Sequence, residues 1–183
     1  AEGFRNEVQV VNTVLSVDQD ASPEMAAMFG ASLALCISDI PFDGPCAMTQ
    51  VGLVDGEFII NPSQSQWKEG DLQLTVASTS KKVIMIEAGA NIIPEAKMIE
   101  AIYMAHDVNQ KIIEFINKIV AEVGKPKHEY ESFTIPEELF AAIKEIVPPA
   151  EMEEAVFTDV KQVREENISK IRERLEEAFA ENE

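Results

Sequence analysis

Residues 61–75 are the stretch of this chain whose position best suits chemistry. The stretch follows a predicted hairpin and leads into another apolar strand, and connections at strand ends often carry binding and catalytic residues. It contains no histidine and no cysteine, and we assign it no carboxylate pair. Acid–base catalysis, nucleophilic catalysis and metal binding all depend on such side chains. The sequence therefore predicts the frame of a site without its reactive groups.

A second candidate is the start of the helix that follows Ser22, because the free backbone N–H groups of a helix N-terminus attract anions. Ser22 is a favourable N-cap residue and Pro23 a favourable first helical residue. However, Pro23 removes one N–H donor, and the carboxylate of Glu24 occupies the place that an anion would take. This turn therefore favours an ordinary capped helix over a phosphate site.

The remaining side chains that could do chemistry stand alone. His106 falls within a predicted helix and His128 in a predicted linker, and neither has a partner at metal-binding spacing. Asp18 and Asp20 belong to a turn before a helix, where aspartate is common for conformational reasons. Trp67, the only tryptophan, suits anchoring a loop to the core better than stacking on a base. We find no phosphate-binding glycine loop, nucleophile elbow or CxxC motif.

Charge and hydropathy exclude two classes of protein. The net charge is -18 over 183 residues, with no basic strip that would neutralise phosphates, so strong nucleic-acid binding by this chain alone is not expected. The most apolar run, residues 25–37, is too short to span a bilayer, so we expect no membrane partner. Cys36 and Cys46 form neither a metal-binding spacing nor a disulfide framework, which favours a cytoplasmic protein.

The elements that would position a site follow from hydrophobic periodicity and turn residues. The sequence predicts strands at 7–17, 48–54, 57–60, 71–77 and 82–87, with helices at 23–38 and 94–123. Asp55-Gly56 marks a two-residue hairpin turn. The helix at 23–38 is apolar or small nearly all round, so we expect it to be buried on most sides. The long helix has a possible break at 105–107 and ends at Gly124.

Beyond residue 124 the pattern is purely helical, with helices predicted at 136–147 and 159–180. The later helix places apolar residues on one face, and Arg164, Arg172 and Arg174 lie among glutamates on the other. We therefore predict an α+β domain at 1–123, with a mostly antiparallel sheet and helices on one face, followed by a small all-α domain at 124–183. The chain starts in a strand without Met and ends in a helix without a stop signal, so we expect both ends to be cut from a larger protein.

An ordered series of motifs resembles bacterial polynucleotide phosphorylases over essentially the whole chain. The motifs are Asn-Glu-Val-Gln-Val-Val at 6–11, Ser-Pro-Glu-Met-Ala-Ala-Met-Phe-Gly-Ala-Ser-Leu-Ala-Leu at 22–35, Ile-Pro-Phe-Asp-Gly-Pro at 40–45, Val-Gly-Leu-Val at 51–54, Leu-Thr-Val-Ala-Ser-Thr at 74–79, and the helix at 101–119 with Asn-Gln at 109–110. The match is to the later half of the first of two RNase PH-like cores. Residues from about 125 onward resemble the all-helical domain between those cores.

The resemblance implies a function for a longer protein. Polynucleotide phosphorylases are homotrimers that degrade RNA from its 3′ end in mRNA turnover, using inorganic phosphate and releasing nucleoside diphosphates. They need Mg²⁺ or Mn²⁺, and the resemblance implies further protein partners in an RNA-degradation complex. The second core is catalytic in this family and the first is a relic. For this chain alone, the resemblance implies no cofactor and no metal.

The resemblance also implies which positions have lost their function. The catalytic core has a serine pair at the start of the helix, which holds phosphate, and here Pro23 and Glu24 occupy those places. It has two aspartates and a lysine in the following loop and strand, and here Trp67, Gln73 and Thr75 occupy those places. The five substitutions remove every required group, so we expect a vestigial site with no catalytic residue.

Two other functions remain open from the sequence. The chain could be an active phosphorolytic exoribonuclease of the RNase PH type, although the phosphate and metal ligands for this are not found. It could also be an RNA-binding or regulatory module, since the helical domain carries three arginines that could contact phosphates. Whether the chain has enzymatic activity by itself is not decided by the sequence.

Overall fold

The computed structural model describes residues 1–180, which divide into two compact units. The first unit runs from Ala1 to Ser132 and the second begins at Phe133. The first unit contains, in chain order, α1 (Pro23–Ile37), β1 (Ala47–Val54), β2 (Glu57–Ile60), α2 (Gln64–Glu69), β3 (Leu72–Ser78), β4 (Val83–Ala90) and α3 (Glu95–Val123). The four strands form one antiparallel sheet in the order β2-β1-β3-β4. The predicted α+β class is confirmed.

The β1–β2 hairpin closes through the Asp55-Gly56 turn, as the sequence predicts. Both turn residues have positive φ, 52° at Asp55 and 83° at Gly56, which is the conformation that a tight hairpin with right-handed strand twist requires. The turn sets the register that pairs Val54 with Glu57. Every second residue of β1 and β3 therefore faces the same side of the sheet.

The core of the first unit lies between the sheet and α3. Leu72, Leu74 and Val76 alternate along β3, and all three are fully buried against α3. Ala101 and Ala105 lie one turn apart on α3 and are fully buried at the same contact, and their small side chains let the helix approach the strands closely. Gln73 and Thr75 consequently point to the opposite face of the sheet.

A buried amide joins α3 to the two central strands. Asn109 is fully buried. Its Oδ1 accepts a hydrogen bond from Thr49 Oγ1 at 2.8 Å, and its Nδ2 donates to the Val76 carbonyl oxygen at 3.0 Å and to Ser78 Oγ at 2.7 Å. Each polar group in this network has a partner, so the network fixes the position of α3 without leaving an unpaired buried dipole.

Three predictions about the first unit are wrong. Residues 7–17 form no strand, because no other strand of residues 1–180 pairs with them. Helix α1 is not buried on most sides: it contacts α3 and β1, and only Ser32 and Cys36 are buried. Helices do not cover one face alone, because the start of α1 and part of α2 border the face opposite α3. Helix α3 is also continuous through 105–107, and Gly124 caps it with an ordinary φ of -65°.

Residues 125–132 remain with the first unit. The backbone N–H of Lys125 donates to the Ile37 carbonyl oxygen, and that of His128 donates to the Asp39 carbonyl oxygen. Lys127 Nζ donates to three carbonyl oxygens at the end of α1, those of Leu35, Cys36 and Ser38, at 2.7–3.0 Å. A cation at a helix C-terminus satisfies carbonyl groups that have no partner inside the helix. The compact unit thus extends past residue 124, where the sequence places the domain boundary.

The second unit contains α4 (Glu137–Ile146), α5 (Pro149–Val156) and α6 (Lys161–Phe179). Its small core consists of Val147, Ala155 and Ile171. The sequence analysis missed α5 because Pro148-Pro149 was interpreted as a stop, whereas proline at the first helical position is favourable. Among residues 1–180, no helix has the length and apolar character needed to cross a membrane.

Candidate functional site

The stretch at 61–75 contains a short helix that the sequence analysis missed. Helix α2 begins after Ser63 with a capping box: Ser63 Oγ accepts from the Gln66 backbone N–H, and Gln66 Oε1 accepts from the Ser63 backbone N–H at 2.9 Å. The Ser-x-x-Gln pattern that signals this cap is present in the sequence. The expected loop is therefore a rigid connection that holds Trp67 in a fixed place.

Gly70 ends α2 and brings the chain back to the sheet. A Cβ atom at this position would lie 2.9 Å from both the Gln66 and the Leu53 carbonyl oxygens, so no larger residue fits without moving the backbone. The next residue, Asp71, donates its backbone N–H to the Leu53 carbonyl oxygen at 2.8 Å. This close approach sets where β3 starts and which of its residues face the cavity described next.

A cavity of about 710 Å³ lies on the sheet face opposite α3. It is bordered by the start of α1, by α2 and by three strands, and its lining residues are Glu24, Met25, Met48, Gln50, Trp67, Gln73, Thr75, Met85, Glu87, Ala88 and Gly89. Four of the five positions predicted to be vestigial therefore line one cavity. Pro23 does not line it, and instead borders a separate cavity of about 420 Å³ with residues 12–16.

Strand pairing and hydrogen bonds hold the floor of the 710 Å³ cavity. Thr75 lies between Gln50 on β1 and Glu87 on β4 in the register of the sheet. Gln73 Nε2 donates to the Trp67 carbonyl oxygen at 2.6 Å, which ties α2 to β3. The Gln73 amide therefore serves a structural contact at the position where the resemblance places a catalytic side chain.

The charge of this cavity is negative. Glu24 and Glu87 are its charged lining residues, and no lining residue is basic. Ser22 Oγ donates a hydrogen bond to the Glu24 carboxylate, which lowers the pKa of Glu24 and keeps it ionised at neutral pH. Ser22 consequently does not cap the backbone of α1, contrary to its predicted role. A carboxylate at this helix start repels the anion that a phosphate cradle would attract.

The other candidates from the sequence lie away from the cavity. His106 contacts Gln110 on the same helix, with 3.3 Å between the two Nε2 atoms. His128 packs its ring 5.9 Å from that of Phe4. Asp18 Oδ1 accepts from the Asp20 backbone N–H, a local turn contact. Among residues 1–180, no group of three or more His, Cys, Asp or Glu side chains is arranged to hold a metal ion.

Sequence reasoning did not single out the β1 and β4 residues of the cavity, which include Met48, Gln50, Met85 and Glu87. These residues alternate with apolar residues on strands that the sequence predicts, so they share a face with Gln73 and Thr75. The missing information was the order of the strands. Only the β1-β3-β4 order brings side chains from three separate strands to one floor.

Comparison with known proteins identifies relatives along almost the whole chain. A profile of the 3′ exoribonuclease family, domain 2, matches residues 44–108. The polyribonucleotide nucleotidyltransferase of Lachnoclostridium phytofermentans is 65% identical over 98% of this chain and 26% of its own length. The enzymes of the same name from Brevibacillus brevis and Bacillus velezensis are 51% and 48% identical, over 98% and 100% of this chain and 25% and 26% of their own lengths.

These relatives are much longer than the chain, which spans about a quarter of their length. A crystal structure of rice (Oryza sativa) Rrp46 has a related fold, with a TM-score of 0.50 at 16% identity over 57% of this chain and 51% of its own. The identity to that structure is low, so this similarity concerns the fold alone. It supports an RNase PH-like fold for the first unit.

Proposed function

Since this chain is homologous, along almost its entire length, to about a quarter of bacterial polyribonucleotide nucleotidyltransferases, we propose that it is a non-catalytic structural part of such an enzyme. It comprises the later half of a first RNase PH-like core and the all-helical domain that follows. The longer protein would degrade RNA from the 3′ end with inorganic phosphate and Mg²⁺ or Mn²⁺, as a cytoplasmic homotrimer in mRNA turnover. The present chain supplies the frame and not the chemistry.

The observation that carries this proposal is the composition of the 710 Å³ cavity. Phosphorolysis needs a cradle for an anion and cations that offset the charge developing in phosphoryl transfer. The cavity lining offers two carboxylates and no basic residue, and its amide at Gln73 is engaged with the Trp67 backbone. Such a lining disfavours both the phosphate nucleophile and the RNA backbone.

The basic residues of the second unit are engaged locally, which favours a spacer role over RNA binding. Arg174 Nη2 forms an ion pair with Glu151 Oε1 at 2.7 Å, and Arg164 Nη1 donates to the Thr158 carbonyl oxygen at 3.2 Å. Lys161 lies 3.7 Å from Glu165. An RNA-binding surface needs cations that can release counterions from phosphates, and these are balanced by neighbouring acceptors.

Phosphate titration of this chain tests the proposal at the cavity itself. Trp67 is the only tryptophan and lines the cavity, so its fluorescence reports on ligand binding there. We expect inorganic phosphate, raised into the millimolar range at constant ionic strength, to leave the emission unchanged. Acrylamide quenching serves as the control that Trp67 responds to solutes. A saturable change with phosphate that sodium chloride does not reproduce would contradict the proposal.

A further inference from the structure

Residues 8–17 are built like a strand but have no partner. The segment is extended, contains neither glycine nor proline, and consists mostly of β-branched residues. Its apolar side chains are exposed, up to 74% at Val11 and 93% at Leu15. Extended backbone with exposed apolar side chains is a template for pairing with another strand.

The β4 edge of the sheet is the matching surface within the same unit. β4 pairs with β3 on one side only, and all of its residues after Val83 are exposed. Ile84 and Ile86 are 57% and 51% exposed on it. Strand β4 has eight residues, so its length is close to that of the segment at 8–17. Its free N–H and C=O groups can extend the sheet by one strand.

Charge at the ends of the two elements selects one direction of pairing. Lys81 and Lys82 directly precede β4, whereas Asp18 and Asp20 directly follow the unpaired segment. Antiparallel addition places the two aspartates beside the two lysines. Parallel addition would place the aspartates at the other end of β4, near Asn91. Opposite charges across neighbouring strands stabilise the pairing, and antiparallel addition gains this contact.

The segment does not pair with β4 of its own chain. Residues 12–16 instead lie beside α1, where they border the 420 Å³ cavity with Pro23, Ala26, Ala27 and Gly30. The occupant that brings both surfaces together is a second copy, because each copy has one unpaired segment and one free edge. A reciprocal exchange satisfies both at once and closes into a two-fold symmetric pair.

We propose that residues 8–17 of one copy add antiparallel to the β4 edge of a second copy, and reciprocally, so that this chain forms a strand-exchanged dimer. Each four-stranded sheet becomes five-stranded in the dimer. This inference is independent of the proposed function, since it uses neither the 710 Å³ cavity nor catalysis.

Charge-swap variants with light scattering test the dimer. The wild-type chain should approach twice its mass of 20.2 kDa as concentration rises. The variant Lys81→Glu with Lys82→Glu, and the variant Asp18→Lys with Asp20→Lys, should each associate about tenfold more weakly, because like charges then face each other. An equimolar mixture of the two should recover association, since each interface again joins opposite charges. The control, Lys111→Glu with Lys118→Glu on α3, should behave as wild type.

Two results would overturn this inference. The first is a mass of one chain at every concentration. The second is a dimer that neither charge variant weakens. Amide hydrogen exchange identifies the strands involved: residues 8–17 and 83–90 should become protected together as concentration rises. Protection of both segments in the dilute monomer would mean pairing within one chain, which also contradicts strand exchange.

Discussion

Replacing Asn109 with alanine is expected to lower the free energy of unfolding of the first unit by roughly 3–5 kcal/mol. The substitution removes the partner of three buried groups: Thr49 Oγ1, the Val76 carbonyl oxygen and Ser78 Oγ. Leaving a buried polar group unpaired costs about 1–3 kcal/mol. Urea denaturation followed by Trp67 fluorescence measures the loss, because Trp67 lies in the first unit.

The matched control for this prediction is Asn117→Ala, on the same helix at an exposed position. It should change the free energy of unfolding by less than about 1 kcal/mol. A triple variant, Asn109→Leu with Thr49→Val and Ser78→Ala, should recover part of the loss, since replacing both partners of a hydrogen bond leaves fewer unpaired groups. A loss below about 1 kcal/mol for Asn109→Ala would show that the network does not hold α3 on the sheet.

Replacing Leu74 with alanine is expected to cost about 3 kcal/mol of unfolding free energy. Leu74 is fully buried between β1 and α3, where Ala101 and Ala105 bring the helix close. The rigid sheet and helix cannot collapse to fill the space that the lost methyl groups leave. Urea denaturation, again followed by Trp67 fluorescence, measures the change.

Thr75→Ala is the control, because Thr75 follows Leu74 directly but faces the cavity and is only half-buried. It should cost less than about 1 kcal/mol. Equal losses for the two substitutions would contradict the assignment of the apolar core to the α3 face. This pair of variants thus separates the face that stabilises the fold from the face that forms the cavity.

The sheet and most helices were predictable because their signals are local. Asp55-Gly56 fixes the first hairpin, and the periodicity of α3 is strong enough to identify the long helix. The error at residues 7–17 has a different origin. A strand depends on a partner, and β-forming residues alone do not supply one. The two missed helices, α2 and α5, are short, so periodicity was weak and only their N-terminal residues signalled them.

The candidate site was predictable only in part. The stretch at 61–75 lies at the cavity as expected, and Glu24, Trp67, Gln73 and Thr75 line it together. The contributions of Gln50 and Glu87 depend on the strand order, which pairs residues far apart in the chain. The separation of Pro23 from the cavity depends on where α1 turns its first residue. Neither arrangement follows from spacing along the sequence.

Release of nucleoside diphosphate from poly(A) is the most direct test of the central claim. The purified chain is incubated with poly(A), inorganic phosphate and Mg²⁺, with the full-length Brevibacillus brevis relative as a positive control. We predict that the chain releases no ADP above the level without phosphate. Phosphate-dependent release by this chain that a Gln73→Ala and Thr75→Ala double variant abolishes would place catalysis in the cavity and contradict the account.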